Sequence, residues 1–179
     1  MFSVKARRFV FWWCVLSGLV HLTWELGFCL MHERLASPTN PSWMIPWTAY
    51  AVADTRYMFS DHFVVSLEWL TVLTVTPMNF YVALTINKAH KLRQAALVLV
   101  VFSTMELYGA IMYFLVEHRH GWKHTVPSSF VEFWIKVVFS NSIWLVLPAI
   151  SLYLGCKALL VTDSAVLAAS KDLDQRNAA

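Results

Sequence analysis

The run Phe9-Val10-Phe11-Trp12-Trp13-Cys14-Val15-Leu16-Ser17-Gly18-Leu19-Val20-His21-Leu22-Thr23-Trp24-Glu25 decides the fold. It stays mainly apolar to about Met31, long enough to cross the hydrocarbon core of a bilayer. Yet it carries His21 and Glu25, four residues apart and therefore on one face of a helix. Three further stretches repeat the pattern: Phe63–Ile86 holds Glu68, Ala95–Val116 holds Glu106, and Phe130–Leu160 holds Asn141. An ionised side chain on a lipid-facing helix centre costs about 2.5–3.5 kcal/mol on insertion scales. A bundle that turns these groups inward around one cavity removes that cost. The predicted fold is therefore all-α: a polytopic membrane protein with a four-helix transmembrane bundle and an internal ligand cavity.

Composition agrees. Of 179 residues, 58% are hydrophobic and mean hydropathy is +0.54, which leaves too little polar surface for a separate soluble domain. Residues 1–170 read as a single membrane domain and 171–179 as a flexible polar tail. With 14 Lys+Arg against 11 Asp+Glu, the basic excess lies in short flanks, so no nucleic-acid partner is expected. Cys14 and Cys29 share one stretch and would lie about 20 Å apart in a helix, too far to bridge. Lys5, Arg7 and Arg8 precede an apolar run too long for a secretory signal, which reads as a retained anchor and first span. Lys and Arg concentrate at the N-terminal flank, in the second loop (Lys88, Lys91, Arg93) and in the tail, which predicts that both termini face the cytosol. The first loop, with Pro38, Pro41, Pro46, Trp43 and Trp47, reads as an ordered cap at the membrane interface.

Counted from either membrane face, His21, Glu25 and Glu68 fall at similar depth, and Asn141 shares a face with Trp144 near the middle of the fourth span. Burial in an apolar medium favours the neutral form of a carboxyl group, so one acid can donate a proton while its neighbour accepts one. An indole face can stabilise a transient cation. No cofactor is needed for such proton relocation, and none is expected. The bland alternative is that these groups pair only with one another and hold helices together. Five groups on three helices at one depth favour the chemical reading. Glu106 reads differently, as a helix-packing partner of Tyr108 or Thr104, and Glu132 with Lys136 as an i, i+4 pair at the outer end of the fourth helix. Glu117, His118, His120 and His124 match no zinc-module spacing, so no metal site is expected.

His21-Leu22-Thr23-Trp24-Glu25, Trp47-Thr48-Ala49-Tyr50 and Asp54-Thr55-Arg56-Tyr57 resemble the emopamil-binding protein (EXPERA) family. So do Asp61-His62-Phe63 through Glu68 and Thr71, Tyr108-Gly109, Tyr113-Phe114-Leu115 with Glu117-His118-Arg119, and Asn141-Ser142-Ile143-Trp144 running on to Pro148. The resemblance spans about Trp13 to Pro148, with its motifs in order. It implies a Δ8-Δ7 sterol isomerase-like enzyme of the endoplasmic reticulum membrane. It also implies a sterol or sterol-like lipid substrate and cationic amphiphilic amines as inhibitors. His21, Glu25, Glu68, Asn141 and Trp144 are the catalytic residues so implied, with Asn141 and Thr71 orienting Glu68. Thr71, Trp47, Tyr50, Asp54, Arg56, Tyr57 and Tyr108 are implied to bind substrate. A cyclase or isomerase of a non-sterol terpenoid, or a non-catalytic sterol binder like the sigma-2 receptor, are the other classes. A homodimer stays open as the oligomeric state. The sequence departs from the family pattern at Ala110, where the animal enzyme has an Asp, at Glu106, which replaces a Gln, and at Glu132 and Lys136, which replace aromatics. The animal enzyme also looks longer, with a further N-terminal span.

Overall fold

A computed structural model describes residues 2–177 apart from 38 and 39, with side chains described as far as residue 161. Four helices are long and apolar enough to cross a bilayer: α1 (Val4–Arg34), α2 (His62–Thr85), α3 (Ala89–Arg119) and α4 (Phe130–Val161). Among the described residues there is no β-strand. The four expected spans are all present, each starting or ending a few residues from its sequence-derived limit. The backbone of α4 continues as helix to Asn177. The tail expected to be flexible, 171–179, lies outside the residues whose side chains are described.

α1 packs on α2, α2 on α3, and α3 most extensively on α4. The bundle has two apolar cores with a polar layer between them. One core gathers Val10 and Cys14 of α1, Val75 and Val82 of α2, and Leu99 and Phe102 of α3. The other gathers Phe28 of α1, Val64 of α2, Tyr113 of α3 and Val137 of α4 with loop residues Met44 and Trp47. His21, Glu25, Asn79 and Glu106 are buried between them. The outward faces carry Trp12, Leu16, Leu73, Leu84, Leu97 and Leu115, as a lipid-facing surface should.

Three helices are locally irregular, two of them at this layer. His21–Glu25, Thr71–Val75 and Phe130–Phe139 are π-helical. Such wide turns occur mostly as short insertions, frequently at functional sites. In α2 the cause is local: Pro77 offers no N–H to the carbonyl of Leu73, and the wide turn precedes it, with the Thr76 N–H bonding to Thr71 O. The first loop folds over the cavity with short helices Ile45–Ala51 and Thr55–Met58. Trp43 is exposed, but Trp47 is buried in the second core, so only one of the two expected interfacial tryptophans takes that position. A bulky indole packed under Tyr57 and Phe28 buries more apolar area than the interface would. Lys136 pairs with Glu132 at 2.9 Å and also donates to Ala49 O at 3.0 Å, which ties α4 to the loop.

The α3–α4 crossing depends on Gly155, where a Cβ would meet Val100 Cγ2 at 2.8 Å and Ala96 O at 3.2 Å. Small residues permit close approach of membrane helices. Gly155→Val is therefore expected to destabilise the protein by about 1–3 kcal/mol. A detergent-solubilised Tm equal to wild type would show that the crossing has slack.

Candidate active site

A cavity of about 330 Å³ opens between the two apolar cores. That size lies within the range of small-molecule sites, about 300–1,000 Å³. His21, Glu25, Glu68, Thr71, Asn141 and Trp144 all line it, as do Trp47, Tyr50 and Tyr57 from the loop. The structure thus brings nine of the twelve expected site residues to one wall-to-wall pocket of apolar surface with a few convergent polar groups.

The α1 wide turn presents His21 and Glu25 together, with His21 Nδ1 2.6 Å from Glu25 Oε2. Glu25 and Glu68 both line this cavity, one from α1 and the other from α2. Glu68 Oε1 accepts from the Tyr57 hydroxyl at 2.6 Å. The Trp144 ring stacks on His21, with centroids 4.8 Å apart and planes inclined by 28°. Trp144 therefore steadies the imidazole as well as lining the cavity.

Several expectations are corrected. Asn141 and Thr71 do not orient Glu68. Asn141 donates to Tyr50 Oη at 2.8 Å and to Val137 O at 2.7 Å, while the Thr71 hydroxyl bonds back to Leu67 O at 2.8 Å. Tyr57 orients Glu68 instead. Tyr108 does not reach the cavity: it is 65% exposed on the outer face of α3, because Glu106, Gly109, Ala110 and Tyr113 occupy the inner one. Glu106 packs against neither Tyr108 nor Thr104. It is buried at the cavity floor beside His21, and Thr104 bonds its own backbone at Val100 O.

Asp54 and Arg56 do not line the cavity either. They form a fully buried ion pair behind it, with Arg56 Nη2 donating to Asp54 Oδ2 at 2.6 Å and Nε to Oδ1 at 2.9 Å. Arg56 also donates to Tyr113 O at 3.2 Å and lies over the Tyr113 ring. Burial opposes its charge, but Asp54 outweighs that and holds the guanidinium above its ordinary pKa. Tyr113 donates a short hydrogen bond to Asp54, and its hydroxyl lies 3.2 Å from that of Tyr50. Asn141, Tyr50, Tyr113 and Asp54 thus form one chain from α4 to the loop. Burial pushes the Tyr50 phenol up to about 12, and that of Tyr57 well up too, with Glu68 adding to the second. Both remain hydroxyl donors. Loop residues expected to touch substrate are split by the fold: the aromatics touch the cavity and the ion pair positions them.

Ser17 and Asn79 carry no signal in the sequence, because a serine and an asparagine in apolar runs are commonplace. Asn79 Nδ2 donates to Ser17 Oγ at 2.9 Å, and Ser17 donates to Glu106 Oε1 at 2.7 Å. At the far end of α3, ligand atoms of Glu117, His120 and His124 lie within 4.8 Å of one another. The Glu117 carboxylate is already taken up by His124, through its N–H at 2.8 Å and Nδ1 at 2.7 Å, with Arg56 3.6 Å away. A cation there would face that guanidinium, so the geometry supports an ion-pair cluster that closes the loop.

The fold and the site thus define a membrane helix bundle around a largely apolar cavity lined by carboxyls, an imidazole and an indole. Residues 45–154 match the EXPERA (EXPanded EBP superfamily) family model, and the chain belongs to that family. It is therefore a multi-pass membrane protein. Among its relatives, the 3-beta-hydroxysteroid-Delta(8),Delta(7)-isomerase of Rattus norvegicus is 33% identical over 158 residues, covering 88% of this chain and 67% of the relative. The enzyme of the same name from Cavia porcellus is 27% identical over 160 residues, covering 89% and 69%. An isomeliandiol synthase of Melia azedarach is 29% identical over 149 residues, covering 83% and 68%.

Arg56→Met leaves Asp54 buried without its cation and is expected to cost about 3–5 kcal/mol of stability. Adding Asp54→Asn to it should recover part of that loss, since removing both charges is cheaper than removing one. Thermal unfolding of both variants measures this. Equal melting of the double and single variants would refute the pairing account.

Proposed function

We propose that this chain is a membrane-embedded isomerase that moves a ring carbon–carbon double bond in a sterol or sterol-like triterpenoid. The observation that carries this reading is that Glu25 and Glu68 line one apolar cavity beside His21 and Trp144. Relatives named as sterol isomerases support it, and the plant relative named isomeliandiol synthase keeps triterpenoids within the substrate class.

One carboxyl of the pair breaks its O–H bond, and the alkene's π electrons form the new C–H bond. That leaves a tertiary carbocation on the neighbouring carbon. The other carboxylate then takes a proton from the carbon on the far side, and the freed C–H electrons form the relocated double bond. The reaction consumes no net proton and no electrons, so this chain's own acids and bases are sufficient. Tyr57 fixes the direction in which Glu68 meets the ring. Trp144 offers its π face to the cation, and the dry cavity strengthens every such electrostatic contact. The loop helices close the site against water that would quench the cation. The basic flanks Lys5, Arg7, Arg8, Lys88 and Lys91 support an orientation with both termini in the cytosol, and the family resemblance supports the endoplasmic reticulum as the membrane.

The direct test is sterol profiling of a host lacking its own Δ8-Δ7 isomerase, with and without this chain, alongside a triterpenoid panel with purified enzyme. Accumulation of unchanged alkene throughout would favour a non-catalytic lipid binder. Hydrophobic tertiary amines should bind tightly, because a protonated nitrogen imitates the cation, and affinity should fall for an uncharged isostere.

Glu68→Gln keeps the Tyr57 contact and side-chain volume but has no proton to transfer. Turnover should drop by about 10²–10⁴-fold with folding retained. Near-normal conversion by the purified variant would remove Glu68 from the pair.

Trp144→Phe and Trp144→Leu separate charge stabilisation from packing. A desolvated cation–π contact is worth about 2 kcal/mol, or about thirtyfold in rate. Activity and amine affinity should both fall in the order Trp, Phe, Leu. If they merely follow melting temperature, the ring is packing for His21.

A further inference from the structure

Glu106 is a buried carboxylate that the proposed reaction does not use. Its side chain is 1% exposed, at the floor of the cavity. Its Oε1 lies 3.2 Å from His21 Nε2, while the opposite imidazole nitrogen, Nδ1, lies 2.6 Å from Glu25 Oε2. The imidazole is thus bridged between two carboxyl groups on different helices. Hydrogen-bond bookkeeping then assigns one proton. Ser17 has a single hydroxyl hydrogen, and it points to Glu106 Oε1 at 2.7 Å. With Glu106 ionised, the Ser17 oxygen then accepts from both Asn79 Nδ2 at 2.9 Å and His21 Nε2 at 3.0 Å. His21 Nε2 consequently carries hydrogen and faces Glu106. The 2.6 Å Nδ1–Glu25 contact is short but off hydrogen-bond geometry, which leaves Nδ1 as the nitrogen that can accept a proton from Glu25. The other side of Glu106 is polar but unsatisfied within the protein: its Oε2 and Asn79 Oδ1 are buried and accept no hydrogen bond from any described side chain or backbone group. A carboxylate with one oxygen free of donors has room to take up a proton.

We propose that Glu106 is the proton store behind Glu25, acting through His21, so that Glu25, His21 and Glu106 form a relay. When a proton reaches Glu25, its O–H bond breaks and an Nδ1–H bond forms. The Nε2–H bond then breaks and an O–H bond forms on Glu106. No electrons are exchanged, and the cavity ends with the same net charge. The reverse sequence reloads Glu25 after it has given a proton to an alkene. Imidazole suits this role because it accepts on one nitrogen and donates from the other. The inference rests on the isomerase reading for its purpose but on geometry alone for its existence. Glu106 touches the reaction only through His21 and is a positioning residue. The titratable groups that face it are His21 and Cys14 from α1, with Glu25 beyond the imidazole; α2 contributes the neutral Asn79, and α4 the Trp144 ring stacked on His21.

The test uses the full chain in lipid nanodiscs, with wild type, Glu106→Gln and Glu106→Asp. Two quantities are measured against pH: turnover of a Δ8-alkene, and the affinity of a hydrophobic tertiary amine compared with its uncharged isostere. For Glu106→Gln, kcat should fall about tenfold or more with KM within about threefold, which is a proton-transfer loss rather than a binding one. The pH dependence of amine affinity should lose a step that Glu106→Asp retains in displaced form. A merely structural Glu106 would shift melting temperature and leave the profiles alone. Superimposable amine profiles for wild type and Glu106→Gln overturn the relay, whether or not any alkene is turned over. Where Glu106→Gln does not fold, a Glu106→Asp profile coincident with wild type overturns it equally. Differing profiles in a chain that converts no alkene would instead support the relay and sink the isomerase reading alone.

Discussion

An imidazole held between two carboxyl groups inside a membrane bundle has no stable existence on a single helix. His21 sits between Glu25 of its own helix and Glu106 of α3, with Ser17 and Asn79 completing the hydrogen bonds. Each of these groups would be costly facing lipid. Pairing across helices offsets part of that cost, and it draws α1, α2 and α3 to a common axis. The two apolar cores above and below the layer then pack as consequences of that convergence.

The loop between α1 and α2 meets the same constraint from the other end. An ion pair as deeply buried as Asp54 with Arg56 must have every remaining donor and acceptor occupied. Tyr113, Glu117 and the backbone of α3 provide those partners. In doing so they pin the loop against α3 and set Tyr50 and Tyr57 over the cavity. The hydroxyl of Tyr57 reaches Glu68, and that of Tyr50 reaches Asn141 on α4. The polar groups of the loop are thus spent on placing its aromatics, which leaves the cavity wall itself largely apolar.

The wide turns in α1, α2 and α4 belong to this account. Those of α1 and α2 lie where a regular helix would have carried its polar face steadily around the axis. A π-helical turn delays that rotation, so His21, Glu25, Glu68 and Thr71 stay aimed at one point. Pro77 supplies a local reason in α2, since the missing N–H already breaks the regular ladder there.

The amino-acid sequence by itself determined that four apolar helices cross a membrane and that His21, Glu25, Glu68, Asn141 and Trp144 sit at one depth. Span length, depth and i, i+4 spacing are properties of a single helix, so they can be read along a chain. Its motifs also carried the family. What the tertiary structure alone decided is which partners those groups take. Glu106 looked like a neighbour of Tyr108 because proximity along one helix was the only guide, and rotation about α3 sends the two to opposite faces. Asp54 and Arg56 looked like substrate contacts because charged residues in a motif invite that reading, whereas burial behind Tyr113 makes them supports. Ser17 and Asn79 are silent in the sequence, since a hydroxyl or amide acquires meaning only when another helix brings a partner within about 3 Å of it. Partner choice depends on helix rotation and crossing, which are set by packing between segments far apart in sequence.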